Sequence, residues 1–341
     1  MQNHLSTFSF KKIIKVMATV AFIIFITFVM DRLFMPKYVN ENIDGRITSE
    51  FYRQRENLDV IAFGSSTVYN AIVPSKLKED CDIDIYLRAN ASQTLWQSYY
   101  LLKDSLISQN PSMVMLDVSF MKNGEEFIEE PSNRKCIEGM RSSIYKYQAI
   151  KASMYEEEHP ETYFIPVFRY HSRWKELKGE DFKYLFHIPT VTDNGYIKED
   201  GVAIDQHIYE VDLEEENALS LKYENSDDFM EAKIFPDKSV EYLDRFVDEC
   251  SKKGIKVLLF KTPTYVNTWY KTYDKWLEDY VNHKKTEKSE YSDKDWISYV
   301  NFDDYAKQCK IVVSEDYIDD GEHLNHNGAV KFTQFLEDYL R

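Results

Sequence analysis

The chain has 341 residues, with 42 Lys and Arg against 58 Asp and Glu and a formal net charge of −16. That length suits one large domain or two modest ones, and 25 Tyr with 21 Phe supply material for a substantial core. The acidity speaks against nucleic acid as a partner, because phosphate binding needs a basic footprint, and against adhesion of the folded part to an anionic membrane surface.

The N-terminus departs from this trend. Residues 1–15 carry Lys11, Lys12 and Lys15 and no acid, and residues 16–30 run without a charge. That run is short of the roughly 20 residues a bilayer core requires. Adding Ile13 and Ile14, with Lys15 snorkelling, and continuing to Met35 gives an adequate span. A cleaved signal peptide is the alternative, but Asp31, Arg32 and Leu33 stand where a small-x-small cleavage site would follow. The reading is a cytoplasmic tail over 1–12 and an uncleaved anchor over 13–35, with the chain beyond Pro36 outside the cell by the positive-inside rule. Cys81, Cys136, Cys250 and Cys309 show no CxxC or metal-like spacing. They read as free, partly buried thiols, two disulfides being the alternative in an extracytoplasmic setting.

Residues 36–56 are polar and read as a linker. Residues 58–63 form a short apolar run that suits a central parallel strand, stops at Gly64 and presents Ser65 and Ser66 in a turn. A helix-like piece to Glu79 follows, then a second strand at 84–88 and a turn over 89–93. The next helix carries Leu95, Tyr99, Leu102 and Leu106 on one face and ends at Asn110-Pro111. Residues 113–118 are a third strand, and this alternation predicts βαβ units. From about 120 to 235 the rhythm stops, and the aromatic, acidic stretch reads as an insertion over the sheet or a lid. Its densest polar and aromatic cluster is Tyr170-His171-Ser172-Arg173-Trp174. There His171, Arg173 and Trp174 could hold an anionic or sugar ligand, the alternative being a packed insertion with an internal ion pair.

The rhythm resumes with a helical stripe of Val240, Leu243, Phe246, Val247 and Cys250, stopped at Gly254. A fourth strand at 256–260, a Tyr/Trp-rich helical segment, a charged stretch at 283–294 and a fifth strand at 310–313 complete the sheet. The last helix is capped near Asn325 and shows Ala329, Phe332, Leu336 and Tyr339 on its apolar side. The expected fold is a three-layer α/β/α domain with a mostly parallel sheet over 57–341, interrupted at about 120–235 and hung from one membrane helix.

Open α/β sheets place their chemistry beyond the carboxyl ends of the strands, which is where Ser66 falls. Serine chemistry further needs a base, a group orienting it, and donors for the oxyanion. Asp320 and His323, three apart on a loop before the last helix, can supply orienter and base. The order Ser…Asp…His is shared with α/β-hydrolases, but Val68 stands where their Gly-x-Ser-x-Gly elbow has its second glycine. A metal held by His323 and His326 with Asp320 or Glu322 is disfavoured, because the spacing is not His-Glu-x-x-His and no third ligand is evident. No metal or other cofactor is expected.

These residues resemble the SGNH (GDSL-like) hydrolases. Gly64-Ser65-Ser66 resembles that family's first block, Gly-Asp-Ser, with Ser66 as nucleophile, and Asp320-Gly321-Glu322-His323 resembles its last block, Asp-x-x-His. Ala91-Ser92-Gln93-Thr94 sits where the second block, Ser-Gly-Asp-Thr, donates a backbone N–H. The resemblance therefore implies oxyanion donors at Ser66 and Ser92; Ser65 and Asn90, beside them in the two turns, are read as candidate substrate contacts. Ser119-Phe120-Met121 stands where the third block has its Asn. The implied architecture is flavodoxin-like. The Gly-Ser-Ser turn, anchor and large insertion are similar to a membrane-anchored subset, the extracytoplasmic partners of membrane-bound O-acyltransferases in teichoic-acid D-alanylation and alginate O-acetylation. That likeness implies a serine acyl-enzyme passing an acetyl or D-alanyl group to a cell-envelope polysaccharide or teichoic acid. The helix would hold it in the lipid bilayer beside its membrane-bound O-acyltransferase partner. Hydrolysis of an envelope ester or thioester, and a non-catalytic polymer-binding scaffold, stay open.

Overall fold

Five short runs pair into one parallel sheet: β1 (Val60–Gly64), β2 (Ile85–Ala89), β3 (Met113–Asp117), β4 (Lys256–Lys261) and β5 (Ile297–Asn301). Their order is β2-β1-β3-β4-β5, the flavodoxin-like arrangement of the three-layer α/β/α fold. The computed structural model describes residues 10–35, 44–127, 129–183, 185–186, 190–203, 212–265, 269–287 and 295–340. β1 and β2 are buried along their whole length, as strands covered by helices on both faces must be. The helices Leu95–Ser105 and Asp237–Lys253 pack together through Trp96, Tyr99, Tyr100 and Tyr242. Phe246 meets Phe63 of β1 edge to face at 5.4 Å. The helices Pro74–Cys81 and His326–Leu340 pack against each other, and Thr333 Oγ1 accepts from the amide of Val73 at 2.9 Å.

The chain divides into two compact units, residues 1–39 with 159–190 and residues 40–158 with 191–341. The stretch expected as one insertion is therefore split: 159–190 belongs with the N-terminal helix, and its flanks belong with the sheet. Part of the expected linker is also structured. A helix, Asp44–Glu50, and a turn, Phe51–Arg53, bury Ile47 and Phe51, because Phe51 lies between the ring of Tyr86 (5.2 Å) and the guanidinium of Arg88 (4.3 Å). Residues 36–43 lie outside the described residues.

The fifth strand is not at 310–313. Lys310 takes a φ of +58°, which no strand accommodates, and Val313–Asp316 is a single helical turn. β5 lies earlier, and its Tyr299 and Asn301 reach Asp274 of the helix Lys271–Glu287. Residues 191–203 form a strap from the β2 edge to the C-terminal elements. Asn194 O accepts from Leu87 N (2.8 Å), Ile197 bonds Tyr69 O and Asn70 Nδ2, and beyond Lys198 the strap meets His326 N, Asn325 Nδ2 and Tyr317 O. It occupies an edge that would otherwise offer unpaired amides. All four cysteines are unpaired thiols.

In the other unit, the helix Phe10–Phe34 is long and apolar enough to span a membrane or to be a signal sequence. Its last turns are covered by short helical pieces at Val167–Tyr170, His171–Lys175 and Gly179–Lys183.

Candidate active site

Gly64 closes β1 between the ends of its neighbours, opposite Ala89 of β2, while Phe63 faces Leu116 of β3. A Cβ at Gly64 would stand 2.5 Å from Val68 Cγ2 and 2.6 Å from Asp117 Cβ, so only glycine lets the chain turn into the helix Ser66–Ala71 here. The strand order reverses at β1 and β3, which is where such sheets open a crevice. Asp117 fastens the turn: Thr67 Oγ1 donates to its Oδ2 at 3.2 Å, and Ser119 donates to its Oδ1 through N (3.1 Å) and Oγ (2.6 Å). Burial pushes the Asp117 carboxyl above the usual range, against the Ser119 hydrogen bonds.

The histidine arrives on a tight loop. Tyr317 and Leu324 pair as an antiparallel bridge, and Ile318 N donates to His323 O at 3.0 Å. Residues 319–322 form the reversal. Tyr265, just beyond β4, donates its amide to Gly321 O at 2.6 Å and so fixes the loop over the strand ends. Gly321 has a φ of +105°, and a Cβ there would stand 2.6 Å from Tyr265 Cβ. Asp319 Oδ1 accepts from the amides of Gly321 (3.2 Å), Glu322 (2.9 Å) and His323 (3.0 Å), while Oδ2 meets His323 Nδ1. His323 Nε2 lies 2.7 Å from Ser66 Oγ.

Ser66 and His323, 257 residues apart, are thus brought together. Asp320 is not their third member. At the base of the loop, beside the Ile318–His323 pair, the carboxylate in reach of the imidazole is Asp319. Asp320 sits one residue further into the reversal and has no hydrogen bond or ion pair among the described residues. Burial disfavours the Asp319 anion, but the bonds from His323 and the loop amides outweigh it and hold the carboxyl below its usual range. Burial likewise disfavours the charged imidazole, yet Asp319, by hydrogen bond and charge, raises the His323 pKa above 6.5. With the Nδ1 proton directed at Asp319, Nε2 is the acceptor for the serine hydroxyl.

The amides of Ser66 and Ser92 have no acceptor among the described residues. Ser66 is the first residue of its helix, so no intrahelical partner exists for its amide. Ser92 takes a φ of +52°, a conformation that costs a serine about 1 kcal/mol and glycine nothing. Asn90 is not placed to touch a ligand: it is fully buried, with Nδ2 donating to Gln93 Oε1 (2.9 Å) and Thr48 Oγ1 (3.3 Å). Ser65 is buried with its Oγ 3.0 Å from Thr67 Oγ1. His171, Arg173 and Trp174 belong to the unit of the N-terminal helix, whereas Ser66 and His323 belong to the sheet unit. His171 Nδ1 pairs with Phe168 O at 3.0 Å, Arg173 bonds Phe34 O and Asp181, and Trp174 is exposed.

A cleft of about 250 Å³ opens at the ends of β1, β3 and β4, lined among others by Ser65, Ser119, Lys122, Lys261, Trp269 and Glu322. Its lysines were not singled out in the sequence. Lys261, at the end of β4, bonds Asp303 and Thr264 Oγ1. Burial holds the Lys122 ammonium below its usual range, opposed by Glu322. Asp319, Glu322 and His323 carry ligand atoms within 4.8 Å of one another, but both imidazole nitrogens are engaged, one by Ser66 and one by Asp319. The Nδ1 of His326 bonds Tyr196 Oη at 2.8 Å.

No protein-family model and no curated protein matches the chain. Among solved structures it is similar to a Streptococcus pneumonia protein provisionally described as a platelet activating factor, at 10% identity and a TM-score of 0.39, covering 88% of this chain and 92% of that one. It is also similar to a provisionally described acylhydrolase of Bacteroides fragilis NCTC 9343, at 10% identity and a TM-score of 0.38, covering 86% and 93%. Likenesses this distant leave the functional reading to the site itself.

Proposed function

We propose that the protein is a serine acyltransferase of the SGNH type, working outside the cell membrane on a cell-envelope polysaccharide or teichoic acid. The observation that carries this reading is the unbroken relay from Asp319 through His323 to Ser66 Oγ at 2.7 Å. His323 Nε2 takes the Ser66 proton as Oγ attacks an acyl carbonyl, and the amides of Ser66 and Ser92 receive the oxyanion. The Nε2 proton then passes to the departing alcohol or thiol, leaving acyl-Ser66. A hydroxyl of the acceptor next gives its proton to Nε2 and attacks the ester, and as the bond to Ser66 breaks Nε2 returns that proton to Oγ, releasing the acylated product and free Ser66.

The cleft beside the serine is lined by Lys122, Lys261 and Glu322, with Lys261 already paired to Asp303, which suits a polar acceptor. Ser119, at the place of the family's asparagine, spends its hydroxyl on Asp117. Absence of one oxyanion donor costs about 10²–10³ in rate, which fits slow transfer to a held acceptor better than rapid hydrolysis. The N-terminal helix, with Lys11, Lys12 and Lys15 on its cytoplasmic side, anchors the enzyme beside a membrane-bound O-acyltransferase that supplies the acyl group.

The test uses the full chain in detergent with p-nitrophenyl acetate and a fluorophosphonate probe, beside Ser66→Ala and His323→Ala. Labelling and turnover present in the native chain and lost in both variants, with label appearing on added teichoic acid or acidic polysaccharide, are expected. Turnover with acetate as the sole product would make it an esterase. No labelling of the native chain, or equal signals in all three, would refute the serine mechanism.

A further inference from the structure

We infer that residues 159–190 are a collar that seats in the headgroup layer of the membrane at the outer end of the N-terminal helix. The segment is bonded to the last turn of that helix. Val167 N donates to Asp31 Oδ1 at 2.7 Å, Arg32 Nε donates to Leu185 O at 2.9 Å, and Arg173 donates to Phe34 O. Arg173 in turn pairs with Asp181 at 3.4 Å. Arg173 is therefore a buttress between insertion and helix.

The length of the helix decides where this places the collar. From Lys12 to Ile26 every described side chain is exposed, and from Thr27 onward most are partly covered, with Phe34 buried. Fifteen bare residues at about 1.5 Å each reach about 22 Å, against a hydrocarbon core of about 30 Å. The missing 8 Å or so is about five further residues, which runs into the part that the collar already partly covers. If the helix spans, the collar cannot stand clear of the bilayer.

The surface of the collar fits that position. Phe168, Trp174, Phe182 and Phe186 are all exposed, the Trp and Phe side chains with which interface-lying segments enter the headgroup and acyl boundary. Residues 159–190 hold five Lys or Arg against four Asp or Glu, in a chain where acids exceed bases by 58 to 42. The repulsion that keeps an acidic protein off an anionic surface is thus absent from this segment. Its partner is the phospholipid headgroup and upper acyl region, and the inference rests on the spanning role of the helix, not on the acyl-transfer chemistry.

Trp174 is a built-in reporter, being 62% exposed while Trp96, Trp269, Trp276 and Trp296 are all buried. The full chain is reconstituted in phosphatidylcholine vesicles with and without shallow brominated acyl chains, beside Trp174→Phe, and retention is checked by alkaline carbonate extraction. Retention with bromine quenching of a component missing in Trp174→Phe is the expected result. Retention without such quenching, Trp174 staying open to aqueous acrylamide, would overturn the collar while leaving the span. Release by carbonate would overturn both. Shielding of Trp174 only when a membrane acyltransferase is added would mean a protein partner and also overturn the proposal.

Discussion

Replacing Asp319 by asparagine separates the observed relay from the one its neighbour would have formed. In Asp319→Asn the side-chain amide oxygen can still accept from the three loop amides now served by Oδ1, so the loop keeps its shape. The NH₂ group, however, takes the place of the oxygen that meets His323 Nδ1. Two donors cannot face each other, so the imidazole shifts its proton to Nε2 and loses the acceptor for Ser66. A wrong tautomer of this kind costs about 10⁴-fold in kcat, or about 5 kcal/mol of transition-state stabilisation. Asp320→Asn touches no bonded group and should change the rate by about twofold or less. The assay is p-nitrophenyl acetate turnover by the full chain in detergent, with thermal unfolding confirming that both variants are folded. An inactive Asp320→Asn beside an active Asp319→Asn would refute the assignment, and equal losses would refute the tautomer argument.

The pH dependence should carry the same signature. Because Asp319 raises the His323 pKa, kcat/KM should climb with pH through a midpoint above 6.5, and Asp319→Asn should lower that midpoint. The raised pKa also means that the protonated pair stabilises the fold below the unfolded value near 6.5 and that this contribution fades as pH rises through the folded value. Asp104→Ala should cost about 3–5 kcal/mol in denaturant unfolding, since it strands the buried Arg88 that now bonds Asp104 at 2.8 Å. Gly321→Ala should cost about 1–2 kcal/mol from its left-handed backbone and remove activity well beyond that loss by displacing the loop from Tyr265. Ellman's reagent should label Cys81 alone in the native chain. Cys136, Cys250 and Cys309 are buried, and burial pushes Cys136 up to about 12 and Cys309 to about 11.

The serine of the candidate site was legible because one glycine after an apolar run marks both a strand end and a turn, and the sheet order then requires that end to face a crevice. Its histidine was legible as a polar residue just ahead of a capped helix, and Asn325 does cap it, accepting from Gly328 N at 3.1 Å. The carboxylate was not, because Asp319 and Asp320 are the same residue twice. Only the Ile318–His323 closure distinguishes them. β5 was misplaced for a related reason. Ile-Ser-Tyr-Val-Asn looks too polar for a core strand, but its Tyr and Asn are answered by Asp274 on a helix. The isolated Ile-Val-Val at 311–313 looks like a strand and has no neighbour to pair with. The division of the insertion had no local signal, since the bonds that tie 159–190 to the N-terminal helix span more than 130 residues.

The strap at 191–203 makes the serine–histidine geometry vulnerable at a single peptide bond. Before Lys198 it holds Tyr69 and Asn70 on the helix of the serine, and after Lys198 it holds Tyr317, Asn325 and His326 around the loop of the histidine. Lys198 itself is exposed. A protease that nicks there cuts the splint between the two halves of the relay while every strand pairing of the sheet survives. Inactivation by trypsin should then run ahead of unfolding, and the nicked chain should stay folded, its two pieces held together by the core.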